Sequence, residues 1–363
     1  MNSIEDLPTP SILIYEDRLE TNLQRLQNAC NQAGIELRPH IKTHKLVPIA
    51  RRQLALGAKG LTCAKLGEAE AMLASGVREI FLAHSLVDPR QVPRITALME
   101  HLDELRLAVT SEAHLEAFLP LIRQVGRPLA VMIAVDTGLN REGVRAIASA
   151  QRIAQKLEAE PLTRLAGLYS HEGQFYVSDQ TQRTADVIAL LDHLCKVRNA
   201  IDPALAIWPG CSVSALAVIE AAAGRVQAVR PGAYVFGDLS LTQNANVMPW
   251  NDVALHVLAT VVDKPTDKLA LIDAGSKTFS SDKTREGITA RAADGRRLEV
   301  FAANEEHGYL RGDDLNEVKV GDRIAFVPAH VCTVVNLTDH VQVITADGSV
   351  RTTWPVDARG KNQ

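Results

Sequence analysis

Several absences narrow the field before any motif is considered. No stretch of about 18 consecutive apolar residues occurs, so no segment reads as a membrane span. The opening residues carry Glu5 and Asp6 and no apolar core, so no signal peptide is expected. Basic residues are not in excess: 39 Lys and Arg face 43 Asp and Glu, a formal net charge of −4. That balance gives no global positive field to hold a phosphate backbone and argues against nucleic acid as a partner. The five cysteines (Cys30, Cys63, Cys195, Cys211 and Cys332) are scattered, odd in number and lack CxxC spacing. A disulfide framework is therefore not expected, and a reducing cytoplasm is the default location. Low-complexity linkers and internal repeats beyond a strand–helix alternation are also missing.

What is present is an ordinary globular composition, 46% hydrophobic and 23% charged. With 363 residues the chain fits one barrel-type domain with an appendage, or two to three smaller domains. Short apolar runs alternate with helical patterns: "LRPHI" (37–41), "GLTCA" (60–64), "EIFLAH" (79–84), "LRLAVT" (105–110), "LAVMIAVDT" (129–137), "LAGLYSH" (165–171), "LAIWPG" (205–210) and "QAVRPGAYVF" (227–236). Among the helical stretches, 184–201 places Val187, Leu190, Leu191, Leu194 and Val197 on one stripe. Eight alternations predict an α/β fold, a closed (β/α)8 TIM-type barrel rather than an open sheet. After about residue 245 the runs are β-type and joined by turn dipeptides such as Asp294-Gly295 and Asp347-Gly348, which predicts an added antiparallel β domain. The expected division is a barrel over 16–244 and a β domain over 1–15 plus 245–363, although "SILIY" (11–15) could pair with either.

In a parallel barrel the chemistry sits at the C-terminal ends of the strands. Lys42, His84, Asp136, Arg141, His171, the 209–214 loop and Tyr234 all follow predicted strands. A lysine there allows a Schiff base with a carbonyl compound. The competing reading is that Lys42 points outward and is merely solvated. "WPGCSVSALAVIE" (208–220) reads as strand, glycine turn and helix start, where backbone N–H groups with Ser212 and Ser214 could seat an anion. A plain N-cap serine is the alternative. "RPGAYVFGD" (230–238) adds donors at Gly232 and Ala233 and the phenol of Tyr234. A phosphorylated aldehyde anchored there and bonded to Lys42 would be pyridoxal 5'-phosphate. His330 and Cys332, two apart on a predicted strand, project to one face and could grip one ion. Imidazole with thiolate favours zinc over manganese or magnesium. An ordinary half-buried strand pair is the alternative.

The stretches "RPHIKTHK" (38–45), "VDTGLNREGV" (135–144), "GLYSHEG" (167–173), "RPGAYVFGD", "IDAGSKTFSSD" (272–282), "EEHGYL" (305–310) and "VPAHVCTVVNL" (327–337) together resemble the fold-type III pyridoxal-phosphate enzymes. More narrowly, they resemble the D-threonine aldolase and eukaryotic-type D-serine dehydratase group, relatives of alanine racemase. The resemblance implies that Lys42 carries the cofactor and that His171 stacks on its ring. It implies that Cys211, Ser212, Gly232, Ala233 and Tyr234 surround the phosphate and that Arg141 contacts substrate or cofactor. It also implies that His330 and Cys332 hold a divalent metal, zinc ahead of manganese or magnesium, and that the subunits form a head-to-tail homodimer with the active site near the interface. His44 and Lys45 receive no role and are read as solvated helix-face residues. The implied reaction is that of a lyase on a small D-3-hydroxy amino acid. In this group a His-x-Cys pair goes with dehydration and His-x-Asp with aldol cleavage, so dehydration leads and aldolase chemistry is the alternative. "VCTVVNL" departs from the commoner forms of that segment, which have Pro-Thr where Thr333-Val334 stands. A racemase, with Tyr309 as second base, or a non-catalytic cofactor-binding protein remain further alternatives.

Overall fold

The computed structural model describes residues 3–176 and 181–363. The chain forms two compact units, one of residues 25–42, 47–232 and 361–363, the other of residues 1–24, 43–46 and 233–360.

The larger unit is the predicted barrel. Its strands are β2 (Glu36–Leu37), β3 (Leu61–Cys63), β4 (Glu79–Ser85), β5 (Glu104–Val109), β6 (Leu129–Ala134), β7 (Thr163–Tyr169), β8 (Ala206–Trp208) and β9 (Ala228–Val229), counted after β1 (Ser11–Tyr15) of the other unit. Strands β3 to β8 pair in sequence order, all parallel. The ring closes through β2, which pairs in parallel with β9 and bridges to β3 at His40–Thr62. Gln227 and Arg230 donate N–H bonds to the carbonyls of Ile207 and Pro209, joining β9 to β8. Helix α1 (Glu16–Ala33) precedes β2, and α2 (Val47–Leu56), α3 (Leu66–Met72), α4 (Val92–His101), α5 (Glu112–Val125), α6 (Ile147–Glu158), α7 (Arg183–Asn199) and α8 (Ala215–Ala221) separate the strands. On α7 the stripe predicted from the sequence is buried at all five positions.

Alternating strand residues fill the barrel: Phe81, Ala108, Met132, Ala134, Tyr169, Trp208 and Ala228 are packed together and buried. The filling is not wholly apolar. Arg38 and Arg106 lie over Trp208 at 4.5 and 4.9 Å, and Arg230 lies over Phe81 and Tyr169 at 5.3 and 5.1 Å. Arg38 reaches Glu36 and Glu79 at 2.8 and 2.9 Å, so its charge is paired where it is buried.

The other unit is a β structure. It contains β10 (Leu255–Thr266), β11 (Leu269–Ile272), β12 (Ala290–Ala292), β13 (Leu298–Ala303), β14 (Gly308–Gly312), β15 (Arg323–Pro328), β16 (His340–Ile344) and β17 (Val350–Pro355). The order β11-β14-β13-β12-β15-β10 returns to β11, a closed antiparallel ring. β1 lies between β10 and β16, antiparallel to the first (Leu13 opposite His256) and parallel to the second (Leu13 opposite Gln342). "SILIY" therefore belongs to the β unit.

Two short helices, α9 (Ser276–Phe279) and α10 (Val331–Leu337), interrupt the strands. The second corrects an expectation, because His330 and Cys332 do not share a strand. The strand ends at Pro328, His330 is the extended N-cap residue (φ −147°, ψ 131°), and Cys332 stands in the first helical turn. Val331, Val334 and Val335 are the buried positions, an i, i+3, i+4 set that packs a helix despite the strand preference of valine. No helix among the described residues is long and apolar enough to cross a membrane.

Candidate active site

Lys42 sits in the 3-10 turn Ile41–Thr43 that follows β2, and its side chain lines a cleft of about 270 Å³ at the C-terminal ends of the barrel strands. His84, Arg141, Tyr169, His171 and Arg230 line the same cleft. The outward-pointing reading of Lys42 is thereby excluded.

His171 follows β7. Its Nδ1 lies 2.6 Å from the carbonyl oxygen of Gly210. A carbonyl only accepts, so Nδ1 carries the proton and Nε2 keeps its lone pair. Burial, followed by the charge of Lys42, pushes the His171 pKa down to about 3, so the ring is neutral at ordinary pH. His84 is also pushed down, by burial and then by the Lys65 ammonium, whose Nζ is 2.9 Å from its Nε2. Arg141 lies on the loop after β6 and pairs loosely with Glu142 at 3.4 Å. Asp136, counted among the mouth residues from the sequence, shapes that loop instead. Its Oδ1 accepts the N–H groups of Gly138 and Asn140, and its Oδ2 accepts from Arg145.

The two predicted anion-holding loops come together in part. The N–H of Gly232 donates to Ser212 Oγ at 3.1 Å. Cys211 is buried, and burial with the nearby Glu172 charge raises its thiol to about 12. Ser214 does not face the seat, since its hydroxyl donates to Glu172 Oε2 at 3.2 Å. Ala233 and Tyr234 are buried in the 3-10 turn Ala233–Val235, the first residues of the chain's return to the β unit.

Sequence reasoning missed several residues here. Arg230 is buried and donates to the carbonyls of Ser170 and Trp208 at 2.5 and 3.2 Å. Burial lowers its pKa to about 10. Glu172 is fully buried. Each is a charged residue inside an otherwise apolar run ("RPGAYVF", "GLYSHEG"), which was the available signal. A phosphorylated pyridine aldehyde suits these residues. The cleft supplies an amine, several cations, a neutral imidazole and the Tyr169 hydroxyl, a buried group with no hydrogen-bond partner among the described residues.

The second constellation lies in the β unit. His330 Nδ1 is 2.8 Å from Asp238 Oδ2, and Asp238 is fully buried. The same oxygen accepts the Val331 N–H at 3.2 Å, and Oδ1 accepts that of Leu241 at 2.9 Å. These contacts keep a proton on His330 Nδ1 and leave Nε2 facing away from the carboxylate. The His330 pKa is raised well above its ordinary value, first by the neighbouring Cys332 charge and then by Asp238, with burial opposing. Thr43 Oγ1 lies 3.2 Å from Cys332 Sγ. Among the described residues no group of three or more His, Cys, Asp or Glu forms a complete metal cage. An oriented imidazole beside a thiol is chemically suited to a divalent metal.

His44 and Lys45 are not solvated. Both are buried: His44 Nδ1 accepts the Leu46 N–H at 3.0 Å, and Lys45 Nζ lies 3.4 Å from the Ala358 carbonyl. Lys45 has φ 54°, so the backbone turns there and the helix begins only at Val47. Tyr309, on β14, donates its hydroxyl to Asn304 at 2.7 Å.

Comparison with known proteins gives the family. The alanine racemase N-terminal domain family matches residues 14–240, and the putative serine dehydratase domain family matches residues 254–344. D-threo-3-hydroxyaspartate dehydratase of Delftia sp. (strain HT23) is 33% identical, over 95% of this chain and 96% of its own length. D-threonine aldolase of Arthrobacter sp. is 29% identical, over 97% and 93%. A cysteine-to-alanine variant of the D-threo-3-hydroxyaspartate dehydratase, solved in a metal-free form, superposes with a TM-score of 0.86 at 31% identity, covering 98% of this chain and 99% of that one. The chain therefore belongs to the alanine racemase-like, fold-type III enzymes that join this barrel to a serine dehydratase-type domain, the group of the D-3-hydroxyaspartate and D-serine dehydratases and D-threonine aldolase.

Proposed function

We propose that the protein is a pyridoxal 5'-phosphate- and metal-dependent lyase that dehydrates small D-3-hydroxy amino acids, giving an oxo acid and ammonia. Its substrate class is that of D-serine, D-threonine and 3-hydroxy-D-aspartate. The observation that carries dehydration over aldol cleavage is the thiol of Cys332 beside an imidazole already oriented by Asp238. A soft thiolate–imidazole pair favours zinc. Aldol cleavage to glycine and an aldehyde is the second reading, favoured by the 29% identity to a D-threonine aldolase.

Lys42, His171, Cys211, Ser212, Gly232, Ala233 and Tyr234 would hold the cofactor, which when bound supplies an electron sink for charge developing at Cα. His330 Nε2 and Cys332 Sγ would hold the metal, which supplies Lewis acidity toward the 3-hydroxyl. The remaining work falls to the protein. The Lys42 amine is the group in the cleft suited to take the Cα proton, and His171, neutral and tied to Gly210, offers a flat unprotonated ring face. Arg141 lines the cleft, and its guanidinium would contact the substrate carboxylate or the cofactor. A head-to-tail homodimer in the reducing cytoplasm belongs to the same reading, which the free cysteines fit. Product analysis with D-threonine tests it: 2-oxobutanoate supports dehydration, whereas glycine with acetaldehyde establishes the aldolase reading in its place.

A further inference from the structure

We infer that Glu172 is a positioning residue that locks the cofactor-side loop 209–214 to His171 and thereby fixes which imidazole nitrogen carries the proton. The inference rests on the proposed cofactor site only for its functional meaning, since the geometry stands by itself.

Glu172 is fully buried, and its charge acts on the nearby Arg230 guanidinium. Its side-chain hydrogen-bond partners among the described residues are all donors. Gly210 N–H reaches Oε1 and Oε2 at 3.3 and 3.1 Å, the Ser214 hydroxyl reaches Oε2 at 3.2 Å, and the Ser170 hydroxyl reaches Oε1. Burying a carboxylate is unfavourable, and the Arg230 charge with the surrounding donors offsets that cost. The carboxylate's effect is on geometry. Gly210 is gripped at both ends by consecutive residues, its N–H by Glu172 and its carbonyl by His171 Nδ1 at 2.6 Å. Ser170 extends the chain, giving its hydroxyl to Glu172 while its carbonyl accepts from Arg230. The loop has no slack at this point. A Cβ on Gly210 would stand 2.7 Å from an Arg230 Nη2 that is itself fixed. The carboxylate thus pins the N–H side of Gly210, and with the residue held there its carbonyl, on the next peptide, is presented to Nδ1, leaving Nε2 unprotonated. Ser212, two residues on, inherits the same placement for its contact with Gly232.

Glu172→Gln keeps the shape and removes the all-acceptor character. The Gly210 N–H then keeps at most one accepting oxygen and loses the carboxylate charge, while one serine hydroxyl must turn to meet the amide NH2. The test uses the full chain labelled with nitrogen-15 histidine and stripped of cofactor, with the His171 signal assigned by its loss in His171→Gln. The wild-type chain is expected to show a single neutral tautomer protonated at Nδ1. E172Q is expected to show a tautomer mixture, with affinity for added pyridoxal 5'-phosphate weakened about tenfold, the scale of one charge-assisted hydrogen bond. An unchanged His171 spectrum in folded E172Q overturns the inference, even if the variant is less stable. Should E172Q not fold, Ser214→Ala carries the test, because it deletes one donor and leaves the carboxylate. A smaller shift in the same direction supports the role and no shift refutes it. The arms separate the two readings: the histidine spectrum decides Glu172 without cofactor, while failure of the wild-type chain to take up pyridoxal phosphate overturns the cofactor assignment alone.

Discussion

Asp238→Asn probes the proposed metal centre without touching either ligand. The carboxylate serves three N–H donors, His330 Nδ1 and the Val331 amide on one oxygen and the Leu241 amide on the other. An amide of the same size has one accepting oxygen. Turned toward His330 and Val331, it sets its NH2 against the Leu241 N–H and leaves that buried donor unpaired, at about 1–3 kcal/mol of folding stability. Turned the other way, it meets His330 with a donor and forces the proton onto Nε2, the atom needed for ligation. Both arrangements weaken the centre, and loss of such a partner ordinarily lowers metal affinity by about 10–100-fold. Zinc titration against a chromophoric chelator, with urea unfolding in parallel, reads both effects. Zinc affinity within about twofold of wild type would refute the assignment of Nε2 as ligand, because the tautomer would then not matter.

Two further outcomes follow from the same geometry. Lys42→Ala should abolish the visible absorbance of the purified protein and its retention of pyridoxal phosphate on gel filtration, and a variant that keeps both would remove Lys42 from the site. His256, buried on β10 beside Arg18, is held down to about 3, chiefly by burial. The unfolded chain takes up that proton below about pH 6.5 while the native one does not, so the contribution to stability is complete above that value and fades as the pH falls toward 3. The loss between about pH 6.5 and about pH 5 is roughly 2 kcal/mol, and equal unfolding free energies at the two ends would contradict it.

Much of the barrel was readable because its strands are buried on both faces and appear as apolar runs, and because the helices close at glycines such as Gly126, whose φ is 68°. The placement of Lys42 and His171 in one cleft, and of Ser212 against Gly232, was legible from their positions at the ends of those runs. The error at His330 and Cys332 arose where local preference and tertiary packing disagree: "VCTVV" favours a strand, yet its buried valines fall at helical spacing and Asp238 receives the first helical N–H. Glu172, Arg230 and Asp238 escaped notice for a different reason. Their roles lie in partners some 40 to 90 positions away, Gly210, Ser170 and His330, which no local pattern announces. Lys45 was misjudged because lysines are usually wet, and only the turn at φ 54° carries this one inside.

The placement of β1 has a consequence for biogenesis. Ile14 pairs with Leu255 on one edge and with Val343 on the other, so the strand finds its neighbours only after some 240 and 330 further residues have been translated. At about 5–20 residues per second the strand waits on the order of ten seconds to a minute with both edges unsatisfied, while the intervening barrel is already able to fold. A nascent chain arranged in this way carries an adhesive ribbon, "SILIY", that only much later segments can cover.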